Sequence, residues 1–147
     1  MAVVAKMYGN CPSNAFTGKL HDLGSEETDI KVMLLTDEYT PDQVNDKVIG
    51  DVSEFEVVGQ NYEAGGKSLT NKTLTHANNV TTFNADEVYW DNSTLSVKYA
   101  VLYDNTSPVP EEKTLISFVD FNEIVSSFDG TFKIVWNAGG IFTITVA

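Results

Sequence analysis

The amino-acid sequence predicts an all-β fold, a single-domain antiparallel β-sandwich or flattened barrel with one or two short helical turns. Three observations point there. Apolar and polar residues alternate with period 2 in residues 95–103, 132–136 and 142–146. Clusters of Asn, Asp, Gly, Ser and Pro separate these and other short apolar runs. Helical patterning is confined to two short stretches. The chain has 147 residues, 42% of them hydrophobic. That is one domain's length, and a domain this size buries roughly 70% of its unfolded surface.

The elements are justified in order along the chain. Residues 2–8 read as a first strand, followed by a turn cluster from Asn10 to Ser13. Residues 30–36 (IKVMLLT) are apolar at consecutive positions, as in a central strand covered on both faces. Thr40-Pro41-Asp42 begins like a capped helix with proline at its first position, and only a turn or two fits before Val48. A turn at 63–66 follows. In residues 67–76, Leu69 and Leu74 have opposite parity, so a bulge or register break is expected between them. Residues 87–90 form a short strand leading into a turn at Asp91-Asn92.

Residues 95–103 carry Leu95, Val97, Tyr99, Val101 and Tyr103 at every odd position. The even positions begin polar and become apolar, as in a strand passing from a half-exposed edge into a core. Residues 104–110 hold two prolines and read as an exposed loop. Residues 114–121 resemble 30–36 in pattern; a short helical turn at 121–125 and a turn at Asp129-Gly130 come next. Phe132, Ile134 and Trp136, then Phe142, Ile144 and Val146, flank the turn Asn137-Ala138-Gly139-Gly140. These last two runs read as a β-hairpin closing the domain.

Composition restricts the chemistry. Twenty-one acids against nine bases give a net charge of −12, and all nine bases are lysines. Such a surface repels phosphate backbones, which argues against nucleic acid as a partner. No stretch reaches the roughly 20 apolar residues of a membrane-spanning helix, so no membrane role is expected. The first residues lack the basic start and long apolar run of a signal peptide, so synthesis in the cytosol is expected. The Asn-X-Ser/Thr triplets at Asn71, Asn79, Asn92 and Asn105 then read as turn and strand composition. Cys11 has no intrachain partner and reads as a small buried residue.

The acids at 37, 38, 42, 46 and 51 could suggest calcium, yet they lack the glycine-centred ladder of an EF-hand and read as a solvated face. His21 beside Asp22, His76 and Ser126-Ser127 do not form a recognisable catalytic arrangement. Among the aromatics, Tyr89 and Tyr103, each beside a turn, are the candidates for a carbohydrate platform; core packing is the default for the rest. No metal, no cofactor and no catalysis are expected, and function is assigned to a protein–protein surface. Met7, Tyr8 and Phe16, flanking the polar stretch 10–14, are the first interface candidates, and Val109 between two prolines is the second. The alternative for Met7 and Tyr8 is that they end the first strand and pack inside.

Several segments also match, in order, a widespread protein of tailed-bacteriophage virions. They are AKMYG at 5–9, DIKVMLLT at 29–36 followed by YTPD at 39–42, YEAGGKSL at 62–69, ADEVYW at 85–90, YAVLYD at 99–104 and GTFKIVWNAGGIF at 130–142. The chain resembles this virion structural family over nearly its whole length. The resemblance implies a capsid decoration or cement protein that binds the outside of the head and stabilises contacts of the major capsid protein. A neck, tail or fibre component with a host-attachment role is the alternative it leaves open, and a virion enzyme acting on glycans is a third. It implies the major capsid protein, or neck and tail proteins, as partners, a location in the virion, and a homo-oligomer with a trimer favoured over a dimer.

Overall fold

The structure is a computed structural model that describes residues 3–146. It is an all-β sandwich of two antiparallel sheets. The strands are β1 (Val4–Met7), β2 (Ile30–Leu35), β3 (Lys67–Ser68), β4 (Thr73–Ala77), β5 (Val80–Asn84), β6 (Val88–Asp104), β7 (Leu115–Ile134) and β8 (Phe142–Thr145). The larger sheet has the order β1-β7-β6-β2-β3, and the smaller has the order β4-β5-β8. Among the described residues, helix is limited to α1 (Cys11–Phe16) and three 3₁₀ turns at Ile49–Asp51, Ser53–Phe55 and Pro110–Glu112.

The larger sheet is apolar on both faces because its central strands alternate between two cores. Ile30, Val32 and Leu34 of β2, with Ala100 and Leu102 of β6, face one core. Met33 and Leu35 of β2, with Tyr99, Val101 and Tyr103 of β6, face the other. This is the central strand that residues 30–36 predicted. The first core is closed by Phe83 of β5 and by Val88, Trp90, Phe132 and Ile134 from the far ends of β6 and β7. The second is closed by Tyr39, Ile49 and Val52, carried on the long connection between β2 and β3.

Strands β6 and β7 are 17 and 20 residues long. Straight, they would span roughly 55–65 Å at about 3.3 Å per residue, far more than a domain of this size measures. They bend instead. Register shifts fall between Trp90 and Ser93, Ser93 and Leu95, Val97 and Tyr99, and Leu102 and Tyr103. Asn92, Asn122 and Asp129 take positive φ at the bends, a conformation Asn and Asp tolerate better than other side chains. The bend brings Phe121 and Phe132, from the two halves of one strand, to 6.2 Å between ring centroids.

Several expectations are corrected here. The turns read at Asp91-Asn92 and Asp129-Gly130 are bulges within continuous strands. The helical turn expected at 121–125 is strand, since Val125 pairs with Val97 across the hairpin. The closing hairpin does not form. Phe132 and Ile134 pair with Trp90 and Val88 of β6, whereas β8 pairs with β5 of the other sheet. The two runs keep the alternation that predicted strands, but they serve different sheets. The helix α1 occupies the cluster read as a turn, with Pro12 in its first turn. The helix start at Thr40 reduces to one turn, in which the Asp46 amide donates to the Asp42 carbonyl (3.0 Å) and the Asp42 side chain accepts from the Val44 and Asn45 amides.

The break expected between Leu69 and Leu74 is present, because β3 and β4 belong to different sheets. The first strand begins at Val4; Ala2 lies outside the described residues. The hairpin β4–β5 turns on Asn78 and Asn79, both at positive φ, as a two-residue type I′ turn requires. Asn71, Asn79 and Asn92, three of the four Asn-X-Ser/Thr positions, all have positive φ, which accounts for those triplets as turn chemistry.

Candidate interaction surface

Several titratable side chains hold loops. Asp42, Asp46 and Asp51 of the acidic stretch accept hydrogen bonds from amides of their own turns. The Asn45 side chain and amide hold the Asp42 carboxyl below its ordinary value. Among the described residues, no three His, Cys, Asp or Glu side chains converge as a metal-holding group. Ser126 and Ser127 face Ser96 and Ser93 across the β6–β7 ladder, at 3.3 and 2.8 Å between hydroxyl oxygens.

His21 pairs not with its neighbour Asp22 but with Asp104, 2.7 Å from Nδ1 to Oδ2. Asp104 is fully buried at the end of β6. Burial pushes its carboxyl up, but hydrogen bonds from Thr106 and from the His21 amide and ring outweigh that and leave it below the ordinary value. An oriented His–Asp pair is two of the three members of a nucleophilic triad, yet no hydroxyl or thiol is hydrogen-bonded to its Nε2 among the described residues. What the pair does is pin the 17–29 connection to β6.

The sequence-predicted interface residues do not gather in one place. Tyr8 is 0% exposed and packs against Phe118, with its hydroxyl 2.8 Å from that of Tyr39. Tyr39 in turn donates to Asp46 at 2.7 Å, so Tyr8 donates and Tyr39 accepts. Desolvation pushes both phenols far up. Tyr8 is therefore a core residue, and its place in the interface is corrected. Phe16 ends α1 at 91% exposure, and Val109 is 43% exposed in its loop. Met7 is half-buried. Of the carbohydrate candidates, Tyr103 is buried with its hydroxyl on the Gly65 carbonyl (2.7 Å), and Tyr89 has the Lys67 ammonium 5.2 Å from its ring centre.

Met7 belongs to a feature the sequence did not disclose. A groove of about 470 Å³ opens where the sandwich gapes beside β1. It is lined by Val3, by Ala5 and Met7 of β1, and by Ser117, Val119 and Phe121 of β7. The opposite wall is Val135, Trp136, Ile141 and Phe142, where the chain leaves β7 and enters β8. Trp136 is fixed there by its indole N–H, which donates to the Asp86 carbonyl at 3.0 Å. Lys6 and Lys133 also line the groove, and none of the 21 acids does. Among the described residues, strand β1 pairs with β7 on one side only, and on its outer backbone edge the Gln43 side chain donates to the Met7 carbonyl. An open strand edge beside an apolar groove binds an extended segment by main-chain pairing and side-chain insertion.

The same strand carries a second exposed apolar feature. Among the described residues β1 pairs with β7 as far as Asp120, and β7 pairs with β6 again from Val125 onward. Four β7 residues, 121–124, stand opposite the single Lys98, so this segment bulges outward. Ile124 (53% exposed), Val125 and Phe128 (83%) are exposed on it. The helical turn expected at 121–125 covers Ile124 and Val125, and residues 124–128 (IVSSF) show no alternation of apolar and polar residues that would mark them as strand. Comparison of the chain with family models, with curated proteins and with solved structures finds no match.

Proposed function

We propose that the protein is a structural component of a tailed-bacteriophage virion, a decoration or cement protein that binds the outside of the head and reinforces contacts of the major capsid protein. The observation that carries the binding role is the groove beside β1, an apolar recess on rigid strands next to a strand that, among the described residues, pairs on one side only. The virion context comes from the sequence resemblance, which extends in order from residue 5 to residue 142. A β-rich chain without disulfides, net charge −12, suits a part that stays soluble until it docks on a basic patch of the shell. Phe16 and Val109 offer further exposed apolar contacts.

The deciding experiment is to locate the chain in a virion reconstruction and count its copies. Hundreds of copies on the head surface support the decoration role. A few to a few dozen copies at the neck, tail or fibre transfer the protein to that part of the particle, and absence from the virion ends the proposal. On a decorated head, Phe16→Ala lowers retention under heat or salt stress while the free protein melts nearly unchanged.

A further inference from the structure

At one end of the larger sheet Lys113, Asn105 and Asp29 stand in a row, and we propose that the first two become joined covalently. The Lys113 amine displaces ammonia from the Asn105 side-chain amide and leaves an isopeptide bond within the chain. The inference does not rest on the virion reading, since it concerns side chains of the isolated protein.

Topology makes the row. Strands β2, β6 and β7 are neighbours in the larger sheet. Asp29 directly precedes β2, Asn105 directly follows β6, and Lys113 lies two residues before β7. All three residues are half-buried. Lys113 Nζ donates to Asn105 Oδ1 at 2.6 Å, and Asn105 Nδ2 donates to Asp29 Oδ2 at 2.8 Å. The backbone fixes the middle member: the Asn105 amide donates to the Asp29 carbonyl at 2.7 Å, and the Asp29 amide to Thr106 Oγ1 at 3.0 Å. Ser68 Oγ holds the other carboxylate oxygen of Asp29 at 2.6 Å. A carboxylate is thereby held against the nitrogen that has to leave.

A lysine in so acidic a chain ordinarily finds a carboxylate. Acids outnumber lysines 21 to 9, and Glu111 and Glu112 directly precede Lys113, yet Lys113 has no ion-pair partner among the described residues. Glu112 takes the Ser107 hydroxyl instead. The Lys113 nitrogen is aimed at a neutral amide. A C=O bond is about 1.2 Å long, so Nζ lies within about 3.8 Å of Asn105 Cγ. Reactants held that close and well aligned behave as if at effective molarities of about 10⁵–10⁸ M.

The step balances without a co-reactant. Lys113 Nζ, after releasing one proton to water, attacks Asn105 Cγ and forms the new C–N bond. Nζ and Nδ2 then share one tetrahedral carbon, so the Asp29 carboxylate beside Nδ2 takes a proton from Nζ and passes it to Nδ2. The Cγ–Nδ2 bond breaks with its electron pair and ammonia leaves to water; nothing is oxidised or reduced. The product closes residues 105–113 into a covalent loop around Pro108, Val109 and Pro110. Such a link restrains the unfolded chain as a disulfide does, in a protein whose one cysteine is free.

The test is the intact mass of the purified full chain, followed over days near neutral pH. Wild type is expected to lose the mass of one ammonia, and its tryptic digest to lack cleavage after Lys113 and to yield a peptide that fragments as a 105–113 ring. Lys113→Arg still donates to Asn105 and is expected to keep its full mass, with Lys113→Met as the second variant should circular dichroism show the first misfolded. Asp29→Asn is expected to lose ammonia about 100-fold more slowly. A wild type that keeps its full mass overturns the proposal, as does a mass gain from hydrolysis of the Asn105 amide. Ammonia loss that persists in Lys113→Arg also overturns it, by assigning the loss to backbone attack on an asparagine. Asp29→Asn reacting at the wild-type rate overturns the proton transfer assigned to Asp29.

Discussion

Tyr8 and Phe16 are both aromatic, eight residues apart, and their burial is opposite. Tyr8 fills the second core and anchors a buried chain of hydrogen bonds through Tyr39 to Asp46. Tyr8→Phe removes one neutral hydrogen bond and leaves Tyr39 donating to Asp46, so a loss of about 1 kcal/mol is expected. Tyr39→Phe strands the Tyr8 hydroxyl in the core and takes a donor from a carboxylate, so roughly 2–4 kcal/mol is expected. Urea unfolding of the two variants checks the order; equal losses would remove the network from the account. Phe16→Ala, which deletes a ring already in solvent, should leave the midpoint unchanged within error. Cys11 is buried, and burial pushes its thiol up to about 11. A thiol-reactive dye should therefore label the folded protein far more slowly than the urea-unfolded one.

At the scale of elements, the β2–β3 pairing depends on one glycine. Gly66 has φ +85°, and a Cβ there would lie 1.8 Å from the Val32 carbonyl oxygen, within backbone that cannot yield. Gly66→Ala should cost well over about 1 kcal/mol and free the 63–68 segment, read as faster amide exchange there than in β6. The larger element is the β6–β7 hairpin. Its bulges let one pair of strands serve both as the middle of the main sheet and as part of the layer packed over it. The same bulges push residues 121–130 outward, so the exposed ridge is a direct consequence of how the hairpin bends.

For the molecule as a whole, Asp104 is a buried carboxyl that links stability to acid pH. A carboxyl held below its unfolded value binds a proton less readily in the folded state than in the unfolded one. Its stabilisation is complete above the unfolded value, near 3.9, and is lost as pH falls through the lower folded value. The contribution of Asp104 to unfolding free energy should therefore fall as pH drops below about 4. Asp104→Asn should be less stable at neutral pH, with a gap to wild type that narrows in acid. A gap of constant size from pH 7 to pH 3 would assign the effect to packing alone.

The all-β class, the strand at 30–36, the alternation of 95–103 and the break between Leu69 and Leu74 were all legible in the sequence. Each depends on which face successive side chains present, and that is a local property with period 2. The partner of a strand is not local. Residues 132–134 and 142–145 look like two arms of one hairpin, yet the first pairs with β6 and the second with β5, some 60 positions earlier. The alternation is satisfied equally well by either pairing, and only packing of the whole chain chooses between them. The candidate site follows the same division. Met7 was legible as an apolar residue at a strand end, but the groove it lines needs β1, β7 and the entry to β8 together. Which strand edges stay open, and which apolar side chains stay in water, is decided only once every strand has found its neighbour.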